Sequence, residues 1–241
     1  MPVTDEAIDT LGRWISESHR IVFLGGAGVS TESGIPDFRG AGGLYTRDSP
    51  VPPEKILSHG FLLTHPDQFF DFIRANCDYR RFLPNRTHLR LAELEREGRL
   101  QAVVTQNIDG LHQMAGSVNV LEIHGNCSRF YCTECGEDYG WSCMETGERV
   151  PRCHCGGMIR PDVVLYGEML DQDVLEASVD AIRGADMLII GGTSLTVYPA
   201  AGLIDYYCGE RLVLINATPT PYDDRADLLI AASLGEVFSR V

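Results

Sequence analysis

Ile21-Val22-Phe23-Leu24 runs directly into Gly25-Gly26-Ala27-Gly28-Val29-Ser30-Thr31-Glu32-Ser33-Gly34-Ile35-Pro36-Asp37-Phe38-Arg39-Gly40. An apolar run followed at once by a glycine-rich turn reads as a buried strand ending in a phosphate-binding loop, where a doubly wound α/β fold holds a dinucleotide. Gly26 and Gly28 would let the backbone approach a pyrophosphate, whose charge then faces the amides and dipole of a following helix. Thr31 occupies the third glycine position of the dehydrogenase fingerprint. The tail is the distinctive part. Phe38 and Arg39 place an aromatic ring and a guanidinium just past the loop, and hydride transfer has no evident need of them.

Working outward, short apolar runs recur at 102–105, 118–123, 163–166, 187–190 and 212–215, several ending in Gly, Asn or Thr. Runs without polar alternation suit parallel strands buried on both faces. Helical patterns lie at 87–97, with Thr87 as cap, and at 173–183. Another starts after Thr4, with Ile8, Leu11, Trp14 and Ile15 on one face. The alternation predicts an α/β fold, a Rossmann-like doubly wound parallel sheet. Segments 40–84, with a helical patch at 69–73, and 127–160, rich in Cys and Gly, break the rhythm. They are read as insertions forming a small second domain. The large domain is then 1–39, 85–126 and 161–241.

With 241 residues, 44% hydrophobic and 22% charged, the chain can bury a sizeable core. No run reaches the roughly eighteen apolar residues of a membrane span, and residues 1–20 are polar and acidic rather than signal-like. A cytoplasmic location is expected. A net charge of −14 argues against nucleic acid as partner and favours cationic ligands such as lysine-bearing peptides. Eight cysteines without any sign of an oxidising compartment point to metal binding. Cys132 and Cys135 form one pair, Cys153 and Cys155 another, each followed by a glycine. Seventeen residues separate the pairs, a spacing that suits one tetrahedral zinc. Four thiolates leave no position for water, so the ion would be structural. The second pair has one intervening residue rather than two, which leaves His154 or Cys143 open as a substitute ligand. Cys77, Cys127 and Cys208 have no partner spacing and read as small core residues.

Polar groups recur at the strand ends. Gln106-Asn107-Ile108-Asp109 follows the run 102–105, and His124-Gly125 follows 118–123. Gly192-Thr193-Ser194 comes after 187–190, and Asn216 after 212–215. Each alone is an ordinary turn or a structural histidine. Together they place ligand-like groups along the carboxyl edge of one sheet, where catalysis is expected.

These motifs, in this order and over about residues 20–216, resemble the sirtuins, the NAD-dependent protein deacylases. The resemblance implies a Rossmann-like domain and a small domain of zinc ribbon plus helical module. Between them NAD and an acetyl-lysine protein or peptide would meet. It implies that Gly26, Ala27, Gly28 and Ser30 hold the diphosphate, with Asp37, Phe38 and Arg39 in the cofactor loop, Phe38 against the reacting ribose. Gln106, Asn107, Ile108 and Asp109 would line the nicotinamide pocket, and Gly192, Thr193, Ser194 and Asn216 would meet the adenosine half. His124 resembles the general base, with Asn107 and Asp109 as its catalytic companions. Val164, Gly167 and Glu168 resemble the segment that pairs with the substrate peptide. Cys132, Cys135, Cys153 and Cys155 would bind the zinc. The expected activity is transfer of the acyl group from lysine to ADP-ribose, by a monomer. The rival is mono-ADP-ribosyl transfer from the same NAD site. Desuccinylating members carry a Tyr and, three residues on, an Arg in the helical module, where this chain has Phe70 and Ile73. An apolar acyl pocket is therefore expected, because a buried carboxylate without a partner is costly.

Overall fold

Strand β1 (Ile21–Gly25) is buried at every residue and lies inside a parallel six-stranded sheet. Its partners are β2 (Leu100–Thr105), β3 (Val120–Glu122), β7 (Met187–Gly191), β8 (Leu212–Ile215) and β9 (Leu228–Ile230), in the order β3-β2-β1-β7-β8-β9. The structure, a computed structural model, describes residues 4–38, 40, 43 and 50–241. The strand order reverses between β1 and β7, as in a doubly wound fold. Side chains alternate between two apolar layers. Phe23, Val103, Ile189 and Val213 face one. Val22, Leu24, Val104, Leu188, Ile190 and Leu214 face the other. Burial on both faces is why these strands lack polar alternation.

Helix α1 (Asp5–Glu17) starts where Thr4 accepts the Ala7 N–H at 3.3 Å, and it buries Ile8, Leu11 and Ile15 against the first layer. Helix α5 (Arg86–Arg96) is capped by Asn85 rather than Thr87, which is buried instead. The Asn85 amide also donates to the Val29 carbonyl at 2.7 Å and to the Ser33 hydroxyl at 3.0 Å, so this cap ties α5 to the glycine-rich loop. Helix α7 (Gln172–Gly184) covers the second layer. Short helices α6 (Leu111–Ala115) and α8 (Leu234–Phe238) complete the large unit.

Residues 163–166, read as a sixth core strand, lie elsewhere. Strand β6 (Ile159–Val163) pairs antiparallel with β4 (Gly125–Cys132), beside β5 (Asp138–Gly140), in a separate three-stranded sheet. The sixth core strand is β9, whose three residues are too short a run to stand out in the sequence. Helices α2 (Pro53–Ile56), α3 (His59–Thr64) and α4 (Pro66–Asn76) precede α5. They pack Ile56, Phe61, Phe69, Phe70 and Ile73 into one apolar cluster with Phe130 of the small sheet, Trp141 in the 3₁₀ turn after β5, and Leu165 in the loop after β6. The two interrupting segments thus share a core, and it flanks the carboxyl edge of the large sheet.

Candidate active site

Parallel register brings the strand ends level. Gly25 pairs with Thr105 on one side and Gly191 on the other, Thr105 pairs with Glu122, and Gly191 pairs with Ile215. The residues that follow therefore leave the sheet along one edge. Gly26, Gln106, His124, Gly192 and Asn216 wall a single cleft of about 810 Å³.

The glycines serve close packing. A side chain at Gly28 would come within 2.7 Å of the Gly192 Cα, and one at Gly26 within 2.8 Å of the Thr193 Cβ. The Gly28 N–H donates to the Gly192 carbonyl at 2.8 Å, and the Gly26 N–H to that of Gly191 at 3.3 Å. Both amides are engaged inside the protein, so these glycines lock two loops together rather than offering N–H groups to a phosphate. Nor does an α-helix follow: Ala27–Val29 and Thr31–Ser33 are single 3₁₀ turns. The expected helix dipole is absent from this stretch.

Ala27, Gly28, Asp37 and Phe38 line the cleft; Arg39 lies outside the described residues. Ser30 stands behind the wall, where its hydroxyl donates to Asp109 Oδ2 at 2.6 Å and accepts from Asn107 Nδ2 at 3.1 Å. The other Asp109 oxygen accepts the Leu111 N–H at 2.9 Å. Burial raises the Asp109 carboxyl, and these hydrogen bonds oppose the rise. Asp109 thus braces Ser30 and Asn107 from behind, while Asn107 and Ile108 themselves face the cleft. Gln106 Nε2 donates to Thr193 Oγ1 at 3.1 Å. Asn216 accepts the Thr193 N–H at 3.1 Å and donates to the Thr193 carbonyl at 2.8 Å. Ser194 lines the cleft beside them.

His124 Nδ1 lies 3.0 Å from the Gln106 carbonyl. A carbonyl only accepts, so this bond assigns the proton to Nδ1 and leaves Nε2 as an acceptor. Burial lowers the imidazole pKa, with the Gln106 carbonyl partly offsetting it, and the ring is neutral at pH 7. Gly125 has φ 75°, and a side chain there would meet the Asp162 carbonyl at 2.1 Å, so glycine is required directly after His124. The His124 carbonyl accepts the Val164 N–H at 3.0 Å, which ties the two backbones together where both residues line the cleft.

Val164, Gly167 and Glu168 border the cleft. The Glu168 carboxylate is fully engaged, taking Arg160 at 2.5 and 3.0 Å, the Leu165 N–H at 2.8 Å and His59 Nδ1 at 2.7 Å. Burial alone would raise its pKa; these donors outweigh it and pull the carboxyl down to about 2. Glu168 therefore braces this loop from within.

Cys132, Cys135, Cys153 and Cys155 converge, their sulfurs all within 4.8 Å of one another, with Cys132 to Cys155 at 3.5 Å and Cys135 to Cys153 at 3.6 Å. Tetrahedral coordination with Zn–S bonds of about 2.3 Å requires sulfurs about 3.8 Å apart, so the four thiols fit a zinc ion. Gly136 (φ 73°) and Gly156 (φ 90°) turn the chain back after each pair. His154 is exposed and paired with Glu137 at 3.0 Å, and Cys143 is buried in the small core. Cys77 and Cys127 are buried as expected, but Cys208 is exposed.

The cleft has walls that the motifs did not announce. Ile73, Cys77, Tyr79 and Cys127 line it on the side of the small core, and Val197 and Tyr198 at its outer edge. The last two continue the loop from Ser194, so extending the strand-end rule by a few residues would have found them. The others carry no sequence signal.

A nucleotide-sized cleft at the sheet's switch point, walled by amides and one poised imidazole, together with a thiol tetrad of zinc-binding geometry in the small sheet region, defines a dinucleotide-using α/β enzyme. Residues 26–199 match the model of the Sir2 family, and the chain belongs to that family. An NAD-dependent protein deacetylase of Clostridium perfringens (strain 13 / Type A) is 52% identical over 241 residues, 98% of this chain and 99% of that protein. A Sir2 structure with deacetylated p53 peptide and 3'-O-acetyl ADP-ribose matches with TM-score 0.90 at 38% identity, over 97% of this chain and 96% of that one. Another, with p53 peptide and NAD+, has TM-score 0.87 at 38% identity and the same coverage.

Proposed function

We propose that this chain is an NAD-dependent protein-lysine deacetylase that moves the acetyl group from lysine to ADP-ribose and releases nicotinamide. The observation that carries this reading is His124, held by Gln106 with Nε2 unprotonated in a cleft that the glycine-rich loop and residues 163–168 both line. Full-length likeness to deacetylases supports it.

In this reading the acetyl oxygen attacks the anomeric carbon of the nicotinamide ribose and nicotinamide leaves. The step depends on orientation and exclusion of water, supplied by Phe38, Asn107 and Ile108. His124 then takes a proton from the ribose hydroxyls, the 2'-oxygen attacks the amidate carbon, one water is consumed, and lysine departs. Ser30 and Asp109 serve as the brace behind Asn107. Zinc held by Cys132, Cys135, Cys153 and Cys155 would tie the ribbon together and takes no part in the chemistry. Free thiols suit a reducing cytoplasm, and a net charge of −14 favours cationic peptides over nucleic acid as partners.

The acyl pocket is apolar. Phe70 is buried and Ile73 lines the cleft. The neighbouring Arg74 is committed to the carbonyls of Met144, Glu148 and Arg149 at 3.2, 2.6 and 2.8 Å, so it offers no cation to an acyl carboxylate. Incubation with NAD and an acetyl-lysine peptide, followed by mass analysis, tests the proposal. Free lysine peptide and acetyl-ADP-ribose in equal amounts are expected. A peptide gaining ADP-ribose while keeping its acetyl group would indicate ADP-ribosyl transfer instead.

A further inference from the structure

The deacetylation chemistry assigns no role to Asn85, which does not line the cleft. Its side chain nevertheless joins α5 to the glycine-rich loop through an amide engaged at both ends. Oδ1 accepts the Thr87 N–H at 3.0 Å and the His88 N–H at 3.5 Å, which caps the helix. Nδ2 donates to the Val29 carbonyl at 2.7 Å and to the Ser33 hydroxyl at 3.0 Å. These partners fix which way the amide points, because a backbone N–H only donates and a carbonyl only accepts. The Asn85 N–H in turn donates to His88 Nδ1 at 3.3 Å, so its backbone is held as well. Val29 and Ser33 end the two successive turns Ala27–Val29 and Thr31–Ser33. Ser30 lies between them, buried, with its hydroxyl 2.6 Å from Asp109 Oδ2 and 3.1 Å from Asn107 Nδ2. One amide thus grips the loop on both sides of the residue that braces Asn107.

We propose that Asn85 is a positioning residue for the nicotinamide end of the cofactor, acting through Val29, Ser33 and Ser30 on Asn107. It touches no reacting atom. While both turns are held, Ser30 stays where one hydroxyl serves Asp109 and Asn107 together, and Asn107 presents a fixed amide to the cleft. Without the Asn85 donor the Val29 carbonyl loses its partner and the two turns can shift, carrying Ser30 away from Asn107. The loss of two neutral hydrogen bonds is worth about tenfold in an equilibrium constant. Capping and positioning are separable at this residue. Serine or aspartate at 85 caps α5 about as well as asparagine does, yet neither keeps an amide N–H for the Val29 carbonyl. The inference rests on the proposed use of NAD at this site.

The test compares zinc-loaded full-length wild type with Asn85→Ser, Asn85→Asp and Ser33→Ala, assayed with NAD, nicotinamide and an acetyl-lysine peptide. For both Asn85 variants, KM for NAD and the inhibition constant of nicotinamide should rise together by about tenfold, while KM for the peptide stays within about twofold. Urea unfolding should show the helix cap retained. Ser33→Ala removes one of the two bonds and leaves the cap untouched, so a rise of about threefold is expected. Added to Asn85→Ser it should bring no further change, because that bond is already gone. A protein that is merely destabilised loses kcat through its folded fraction with both KM values unchanged, and that pattern would overturn the proposal. So would a Ser33→Ala effect of full size in the Asn85→Ser background. Wild type that fails to turn over NAD would overturn the function proposed above and this inference with it, whereas an active wild type matched by its variants overturns this inference alone.

Discussion

Lowering the pH should destabilise this protein through His88, by an amount the structure sets. His88 is wholly buried on α5, where its Nδ1 accepts the Asn85 N–H at 3.3 Å. Its Nε2 meets no hydrogen-bond partner among the described residues. The His112 ring, also buried, lies 4.7 Å away. Burial depresses His88 to about 4, and burial together with His88 depresses His112 well below its ordinary value. A base whose folded pKa is lowered binds more protons when unfolded. Its contribution is therefore fully present above about pH 6.5 and lost as pH falls from there toward 4. For His88 the whole span is worth about 3.4 kcal/mol, of which about 2 kcal/mol is gone by pH 5. His112 adds in the same direction. Against a typical stability of about 5–15 kcal/mol this is large. The assay is urea unfolding at pH 7.5 and pH 5.0 for wild type and His88→Gln, a change that keeps an acceptor for the helix cap. Comparing the two proteins cancels carboxylates and zinc release. The variant should lose about 2 kcal/mol less than wild type between the two pH values; an equal loss would refute the reasoning.

Cys155→Ala should abolish zinc in metal analysis and lower the melting temperature, and a full complement of zinc would mean that the ligands are misassigned. Acetyl-lysine should be cleaved and succinyl-lysine not, on matched peptides, since Ile73 and the committed Arg74 leave the acyl carboxylate unpaired; comparable rates would contradict this. The acid limb of kcat/KM should lie below about 6.5, because burial keeps His124 neutral to lower pH than a free imidazole. A limb at or above 6.5 would remove His124 as the titrating base.

Much of the fold was legible because parallel strands buried on both faces leave continuous apolar runs, and five of the six expected strands lie in the large sheet. The run at 163–166 misled for a physical reason: its residues extend the edge of a small sheet, and Val164 pairs with His124 rather than with a core strand. Strand ends were informative because register makes them level, so Gln106, His124, Gly192 and Asn216 share an edge by geometry. The division of labour among site residues was not legible. Nothing in the sequence says that Asp109 spends both oxygens on Ser30 and Leu111, or that Glu168 is enclosed by Arg160 and His59. Those facts depend on side chains 79 and 109 positions apart meeting in space.

The central claim is that His124 acts as a base after the glycosidic bond of NAD has broken. The most direct test is His124→Ala, assayed with NAD, acetyl-lysine peptide and isotopically labelled nicotinamide. Deacetylation should fall by about 10²–10⁴, the usual contribution of a positioned base, while exchange of labelled nicotinamide into NAD persists. Deacetylation at the wild-type rate would contradict the account, and so would loss of exchange in a variant that is folded and still binds NAD.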